Sequence, residues 1–327
     1  MRPTSITRRG LLAAGLSGLA APALAQTEAW PNRPIRLVIP FGAGGSVDVV
    51  GRLLAEKLAG IFGQPLVIDN RPGGATSIGA IHVARSAPDG YTLFYGTPAT
   101  QIINPSLFTR LNYDPDHDLV AIGSVMRAPN LLLVHPSLGV RDVPGLIEKA
   151  KALPGRITYA STAIGSSNHL SGEMLNRMAG IQLMHVPFSN FGLSAGELMA
   201  GRVDAYFGTI SDMLRVSAGT DLVKLAVTSA QRSSLLPDVP TVAETVPGFE
   251  ATAYNYIAVP PRTPSTIVMA LNAGFNRALA DPHVVREMVV TGLQPIATDG
   301  PDEAQKTIMR ERERWRQVIQ AAGIRLE

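Results

Sequence analysis

Short apolar runs alternate with stretches of helical spacing along most of this chain, and that alternation restricts it to an α/β fold. Ile35-Arg36-Leu37-Val38-Ile39 reads as a strand stopped by Pro40. Between residues 46 and 62, Val50, Leu53, Leu54, Leu58, Ile61 and Phe62 recur at helical intervals, and Gly63 stands where a helix end favours glycine. A strand at Leu66-Val67-Ile68, a turn at Arg71-Pro72-Gly73-Gly74, a helix to about Ser86 and a strand over 91–95 complete a β-α-β-α-β unit. Near-continuous apolar strands in that order predict a parallel sheet covered by helices on both faces.

The same grammar resumes further on. Strands are expected at 130–134, 157–160, 183–186, 205–207 and 223–228, with helices opening at Asp142-Val143-Pro144 and running over about 168–179, 192–200 and 211–218. Thr241 and Glu244 fit a capping box. A late strand over 253–259 is followed only by helical patterns, near 265–280, 282–291 and 302–322. A chain of 327 residues exceeds what one core usually covers. Two α/β lobes are therefore predicted, each a mainly parallel sheet with helices on both faces. The closing helices are expected to return to the first lobe, so that the chain crosses twice and makes a hinge.

The N-terminus reads as a secretory signal. Arg2, Arg8 and Arg9 precede an apolar run over 10–21, and Ala23-Leu24-Ala25 fits a cleavage site. Thr7-Arg8-Arg9-Gly10-Leu11-Leu12 adds a twin-arginine reading, with an ordinary secretory signal as the alternative. Removing residues 1–25 takes away three arginines and no acid, so 29 Lys+Arg against 26 Asp+Glu become 26 against 26. The remaining cations are scattered, and nothing points to nucleic acid. The absence of cysteine excludes a disulfide framework, a thiolate metal site and a cysteine nucleophile.

Two loops carry the chemistry. Phe41-Gly42-Ala43-Gly44-Gly45-Ser46 joins a strand to a helix, with Ser46 placed at the N-cap and Asp48, in the first turn, expected among the ligand-binding residues. It is neither a dinucleotide fingerprint, since Val47 stands where a third glycine belongs, nor a P-loop. Ser161-Thr162-Ala163-Ile164-Gly165-Ser166-Ser167 repeats the design at a second strand-to-helix junction. Two helix N-termini, one from each lobe, can hold a carboxylate on backbone N–H groups with no arginine. A plain glycine-rich turn is the competing reading of either loop alone.

Other constellations are weaker. Ser166 or Ser167 with His169 invites a hydrolase reading, but the spacing is poor for a shared helix face and no nucleophile elbow is present. Asp114-Pro115-Asp116-His117-Asp118 lacks the glycine and distal glutamate of a calcium loop and reads as a surface turn. The mixed charges over 310–314 read as an exposed salt-bridged face, with Trp315 turned inward. Neither metal nor cofactor is expected, and no enzymatic activity.

In this order and spacing, WPNRPIRLVIPFGAGGSVDVVGRLLAEKL, VIDNRPGG, APDGYTLFYGT, YDPDHDL, LPGRITYAS, GSSNHLSGE, MHVPF, GRVDAYF, AVTSAQRSSLLPDVPTVAE and RWRQVIQAAGI resemble the substrate-binding proteins of tripartite tricarboxylate transporters, the Bug family. The resemblance implies a two-lobed, flytrap-type periplasmic binder, monomeric, that hands a small carboxylate to membrane permease subunits. A binding protein that reports to a membrane sensor kinase uses the same pocket and stays open. So does, more remotely, an exported hydrolase. The family's discontinuous first lobe implies residues 27–126 plus 252–327, with 127–251 as the second. It also implies that the 41–46 loop and Ser161, Gly165, Ser166, Ser167 and Asn168 grip the carboxylate. Thr97, Phe188, Thr209, Tyr254 and Asn255 are implied as further pocket walls. The chain departs from the common pattern at Phe188-Ser189-Asn190, Gly208-Thr209 and Tyr254-Asn255-Tyr256. Without a carboxylate at 208 an amino acid is disfavoured, which leaves an aromatic or dicarboxylic acid.

Overall fold

The computed structural model describes residues 30–162, 164–188, 190–296 and 300–326. The segment read as a signal lies outside them. The chain runs β1 (Ile35–Ile39), α1 (Ser46–Phe62), β2 (Leu66–Asn70), α2 (Ser77–Ala84) and β3 (Thr92–Gly96). A π-helical turn at Ala99–Ile103 leads into α3 (Asn104–Leu107). There follow β4 (Val120–Val134), α4 (Val143–Ala152), β5 (Thr158–Ser161), α5 (Ser167–Ala179), β6 (Met184–Pro187), α6 (Phe191–Met199), β7 (Ala205–Thr209), α7 (Ile210–Ser217) and β8 (Val223–Val227). The last elements are β9 (Thr252–Val259), α8 (Ser265–Leu279), α9 (Pro282–Val289), β10 (Gln294–Pro295) and α10 (Pro301–Ala321).

The strands join in the order β2-β1-β3-β9-β4-β7-β5-β6, with β8 and β10 also paired to β4. The expected parallel order holds for β2-β1-β3 and again for β6-β5-β7. Strands β4, β8, β9 and β10 add antiparallel ladders, so each half of the sheet is mixed. The reason is the crossing itself. β4 runs for 15 residues, pairing through Val120–Pro129 with β9 and through Asn130–Val134 with β7. β9 runs against β3 at the edge of the first triplet, and β4 runs against β9 on one side and against β7 of the second triplet on the other.

Strand parity decides which helices cover which face. Leu37 and Ile39 share a buried cluster with Val50, Leu54 and Leu58 of α1 and Leu271 and Phe275 of α8. Val38, one residue out of phase, packs with Ala80 of α2 and Ile308 and Trp315 of α10. In the second half, Leu132 and Phe207 bury against Leu170 and Met174 of α5, and Leu131 and Leu133 against Leu198 of α6 and Met213 of α7. The helix-sheet-helix layering is complete on both sides.

The closing helix is less exposed than its charges suggest. Arg310–Glu303 is an outward pair, as expected. Glu311, by contrast, is 7 % exposed, taking Arg127 of β4 at 3.5 Å and Arg314 at 2.6 Å. Arg127 also reaches Glu250, just before β9, at 3.3 Å. α10 is thus tied behind both crossing strands. Asp114 caps its own turn, accepting from the N–H groups of Asp116 and His117, which makes the acidic cluster a self-closed turn.

Candidate functional site

The first loop leaves β1 at Pro40 and enters α1 at Ser46. Gly45, at φ −77° and ψ 166°, occupies the N-cap, so Ser46 is already helical and not the cap expected from sequence. No side chain caps this helix. Its first N–H groups, from Ser46 onward, therefore have no acceptor of their own and carry the positive end of the dipole. Gly44 sits at φ +89°, a left-handed conformation that glycine adopts at little cost.

Asp48 has a different task from the ligand contact expected of it. It is 2 % exposed and accepts from Gly44 N–H at 2.9 Å, Arg52 Nε at 3.0 Å and Asn70 Nδ2 at 2.9 Å. Burial pushes its carboxyl up, but the bonds from Arg52, Gly44 and Asn70 outweigh that and hold it at about 2. Asn70 also donates to Phe41 O at 3.0 Å. Asp48 and Asn70 together brace the loop from beneath.

The second loop runs from β5 to α5. Ser166 is the N-cap, its Oγ accepting from His169 N–H at 3.3 Å. The N–H groups of Ser167 and Asn168 precede that capped position. Gly165, at φ +78°, lies so close to Leu107 that a Cβ would come within 2.4 Å of Cδ2. Its N–H donates to His169 Nδ1 at 3.0 Å and is therefore spent within the loop. Asn168 Oδ1 accepts from Thr162 Oγ1 at 3.0 Å.

Beneath this loop Ser161, expected to grip the carboxylate, is instead absent from the cleft lining and pairs with a histidine. Ser161 Oγ meets His185 Nε2 at 2.6 Å, and His185 stacks on His169 with ring centroids 3.7 Å apart. Burial lowers His169 to about 3, helped by His185, and lowers His185 to about 4. Ser161 is fully buried and faces no cleft. This is a packed polar core under the loop, not an accessible nucleophile.

Both loops open on one cleft of about 410 Å³. Phe41, Gly45, Ser46 and Thr97 reach it from one side, Gly165, Ser166, Ser167, Asn168 and Thr209 from the other, with Asn255 of β9 between. Residues the sequence did not single out complete it: Val47, Pro98, Ala99, Ile103, Ala128, Asn130, Thr162 and Ala253. Among the described residues no ionisable side chain lines it. Of the remaining expected residues, Gly42 lines an adjoining recess of about 290 Å³. Ala43 and Gly44 are exposed loop backbone. Phe188 packs against the cluster beneath α6 and α7.

Tyr254 is displaced by parity. Ala253 and Asn255 face the cleft, so Tyr254 points through the other side of β9. There it is 1 % exposed, with its hydroxyl 2.5 Å from Ser124 Oγ. The residues missed at 98–103 and 128–130 belong to a π-helical turn and to the junction within β4, for which no periodic pattern exists. Asn130 ties β4 to the second loop, its Nδ2 donating to Ser171 Oγ at 3.1 Å and Ser167 O at 3.4 Å.

Among the described residues no helix is long and apolar enough to cross a membrane, and no group of three His, Cys, Asp or Glu is arranged to hold a metal.

Residues 50–324 match the family described as "Tripartite tricarboxylate transporter family receptor". Protein BugT of Bordetella pertussis (strain Tohama I) is 34% identical over 313 residues, which cover 95% of each chain. R. palustris Rpa4515, solved with adipate, superposes with a TM-score of 0.79 at 34% identity, over 91% of this chain and 100% of that one. MatC (Rpa3494) from Rhodopseudomonas palustris, solved with bound malate, gives a TM-score of 0.74 at 30% identity, over 89% and 100%. A two-lobed α/β fold with two helix N-termini on one uncharged cleft accompanies a match over most of the chain, and this protein belongs to the tripartite tricarboxylate transporter receptor family.

Proposed function

We propose that this chain is a periplasmic solute-binding protein that captures a small carboxylate between its lobes and passes it to the membrane subunits of a transporter. The observation that carries this reading is the pair of helix N-termini. α1 has no side-chain cap, α5 is capped only at His169 N–H, and both open on a cleft that no ionisable side chain lines among the described residues. Such a site offers N–H donors and dipole charge to an anion and nothing to a cation. Adipate and malate in the two solved relatives are both carboxylates, which supports the same class here.

In this reading Phe41, Gly45, Ser46, Ser166, Ser167 and Asn168 form the carboxylate grip, and Asp48 sets the loop geometry without touching ligand. The lobes divide near residues 126 and 252, where β4 and β9 pass between them, and closure swings about those two strands. Export through the twin-arginine segment delivers the folded protein to the periplasm. The protein turns nothing over, since its best-placed serine–histidine pair is sealed beneath the loop.

The test is calorimetry of the purified protein with a panel of small carboxylates and the matching primary amides. A carboxylate at 100 times its dissociation constant raises stability by about 2.7 kcal/mol. The amides, which keep the shape and lose the charge, should not bind measurably. Equal binding of acid and amide, or turnover of ester substrates that is lost on Ser161→Ala, overturns the proposal.

A further inference from the structure

We infer that Thr97 and Asn255 form a second recognition point for an uncharged oxygen, so that the preferred ligand is a monocarboxylate whose apolar body carries a hydroxyl group. The inference rests on the carboxylate reading above and narrows it.

Thr97 is 4 % exposed and lines the cleft, yet its Oγ1 has no hydrogen-bond partner among the described residues. Asn255 is 3 % exposed and lines the same cleft. The two are neighbours across the sheet. β3 and β9 pair from Phe94↔Ala258 to Gly96↔Tyr256, and the next step of that register brings Thr97 opposite Asn255. A buried hydroxyl left open beside an amide on the cleft wall is costly unless something in the cleft answers it. Their surroundings, Pro98, Ala99, Ile103, Ala128 and Ala253, cannot.

Charge decides which oxygen fits. The Thr97 hydroxyl can donate or accept, and the Asn255 amide can do both, so one ligand hydroxyl can give each of them a hydrogen bond. A second carboxylate would have to be desolvated against two neutral donors at most, with no cation on the walls. The nearest guanidinium along β4, Arg127, precedes Ala128 and so faces the opposite side of the strand, where Glu250 and Glu311 hold it. An ammonium group fares worse, because no carboxylate lines the cleft to receive it.

Calorimetry with two matched series tests this: hexanoate, its monohydroxy derivatives and adipate, then benzoate, the hydroxybenzoates and terephthalate. In at least one series a hydroxy acid should bind about tenfold or more tightly than the unsubstituted acid, and more tightly than the diacid. Thr97→Val, which keeps shape and removes the hydroxyl, should bring hydroxy and plain acids to within about threefold, while Thr97→Ser should restore the preference. Asn255→Ala should weaken the hydroxy acid selectively. Diacids that bind best in both series, or a hydroxyl preference that survives Thr97→Val, overturns the inference and leaves the carboxylate reading standing. Failure of every acid to bind defeats both.

Discussion

The rings of His169 and His185 lie nearly flat on one another, 18° apart in plane with centroids at 3.7 Å, directly under the loop that bears Gly165. Two imidazoles so stacked in a buried setting are stable only while neutral.

This makes stability depend on pH in a defined window. An unfolded histidine takes its proton near pH 6.5, whereas here His169 holds out to about 3 and His185 to about 4. Below pH 6.5 the unfolded chain binds more protons than the native one, so stability falls as pH falls, until the native rings themselves titrate. Each ring contributes roughly 1.4 kcal/mol per pH unit across that window. Glu173, 3.8 Å from His169 Nε2, is a carboxylate positioned to soften the effect. Urea unfolding at pH 6.5, 5.5 and 4.5 should show the decline, and His185→Phe should reduce its slope by about half. Asp48 is not involved, because its depressed carboxyl loses stability only below its ordinary 3.8. A flat profile from pH 6.5 to 4.5 contradicts the buried neutral pair.

Affinity should follow the same protonation. A proton on Nδ1 of His169 turns the acceptor of Gly165 N–H into a donor, and the loop loses that anchor. Ligand affinity measured for the folded protein should fall as the pH drops toward about 3, where His169 takes its proton. His169→Asn, which can still accept from Gly165, should hold its affinity further into acid. Identical pH profiles for both proteins would count against the coupling.

Gly45→Val should abolish binding without unfolding the chain. A Cβ at Gly45 meets nothing within 4 Å, and its φ of −77° suits any residue, so the side chain projects into the open mouth of the cleft. Ser166→Ala should be milder for the ligand, costing one charged hydrogen bond of roughly 1.5–3 kcal/mol, and should also cost about 1 kcal/mol of stability as a lost N-cap. Calorimetry and thermal unfolding of the two variants separate these effects. Normal binding by Gly45→Val sinks the backbone-grip account.

Asp48→Ala leaves Gly44 N–H and Asn70 Nδ2 without their shared acceptor. The expected loss is about 2–3 kcal/mol in folding, with weaker binding because the loop is no longer set. Asp48→Asn keeps the shape and should lose less of both. If the two variants bind ligand like the parent, the brace has no role in the site.

Much of the frame was legible because local chemistry and tertiary packing agree there. β1 stops before Pro40, α1 ends at Gly63 in a left-handed conformation, and Asp142 caps α4, each as its sequence indicates. The first ten residues of β4 were not legible. Gly123, Ser124, Arg127 and Pro129 break any alternation, and the strand is held by neighbours on both sides, with irregular register against β9. Within the site, the resemblance marked Tyr254 and Asn255 alike, but a pleat sends adjacent side chains to opposite faces, and only Asn255 reaches the cleft. Asp48 could be placed in the first turn of α1, yet its bond to Asn70 spans 22 residues and no local pattern encodes it. The burial of Glu311 likewise depends on Arg127, far away in the chain.

Pro129 stands at the last position where β4 pairs with β9, and Asn130 begins the pairing with β7. Proline has no N–H to give, so it can donate no bond to either neighbour where the strand changes partners. The long strand is therefore a rod scored at one point. Bending is cheapest where it is scored, and Asn130, the next residue, holds the N-terminal turn of α5 through Ser167 and Ser171. In the closure proposed above, a swing at the score would carry the second loop with it, much as a latch moves with the edge of its door.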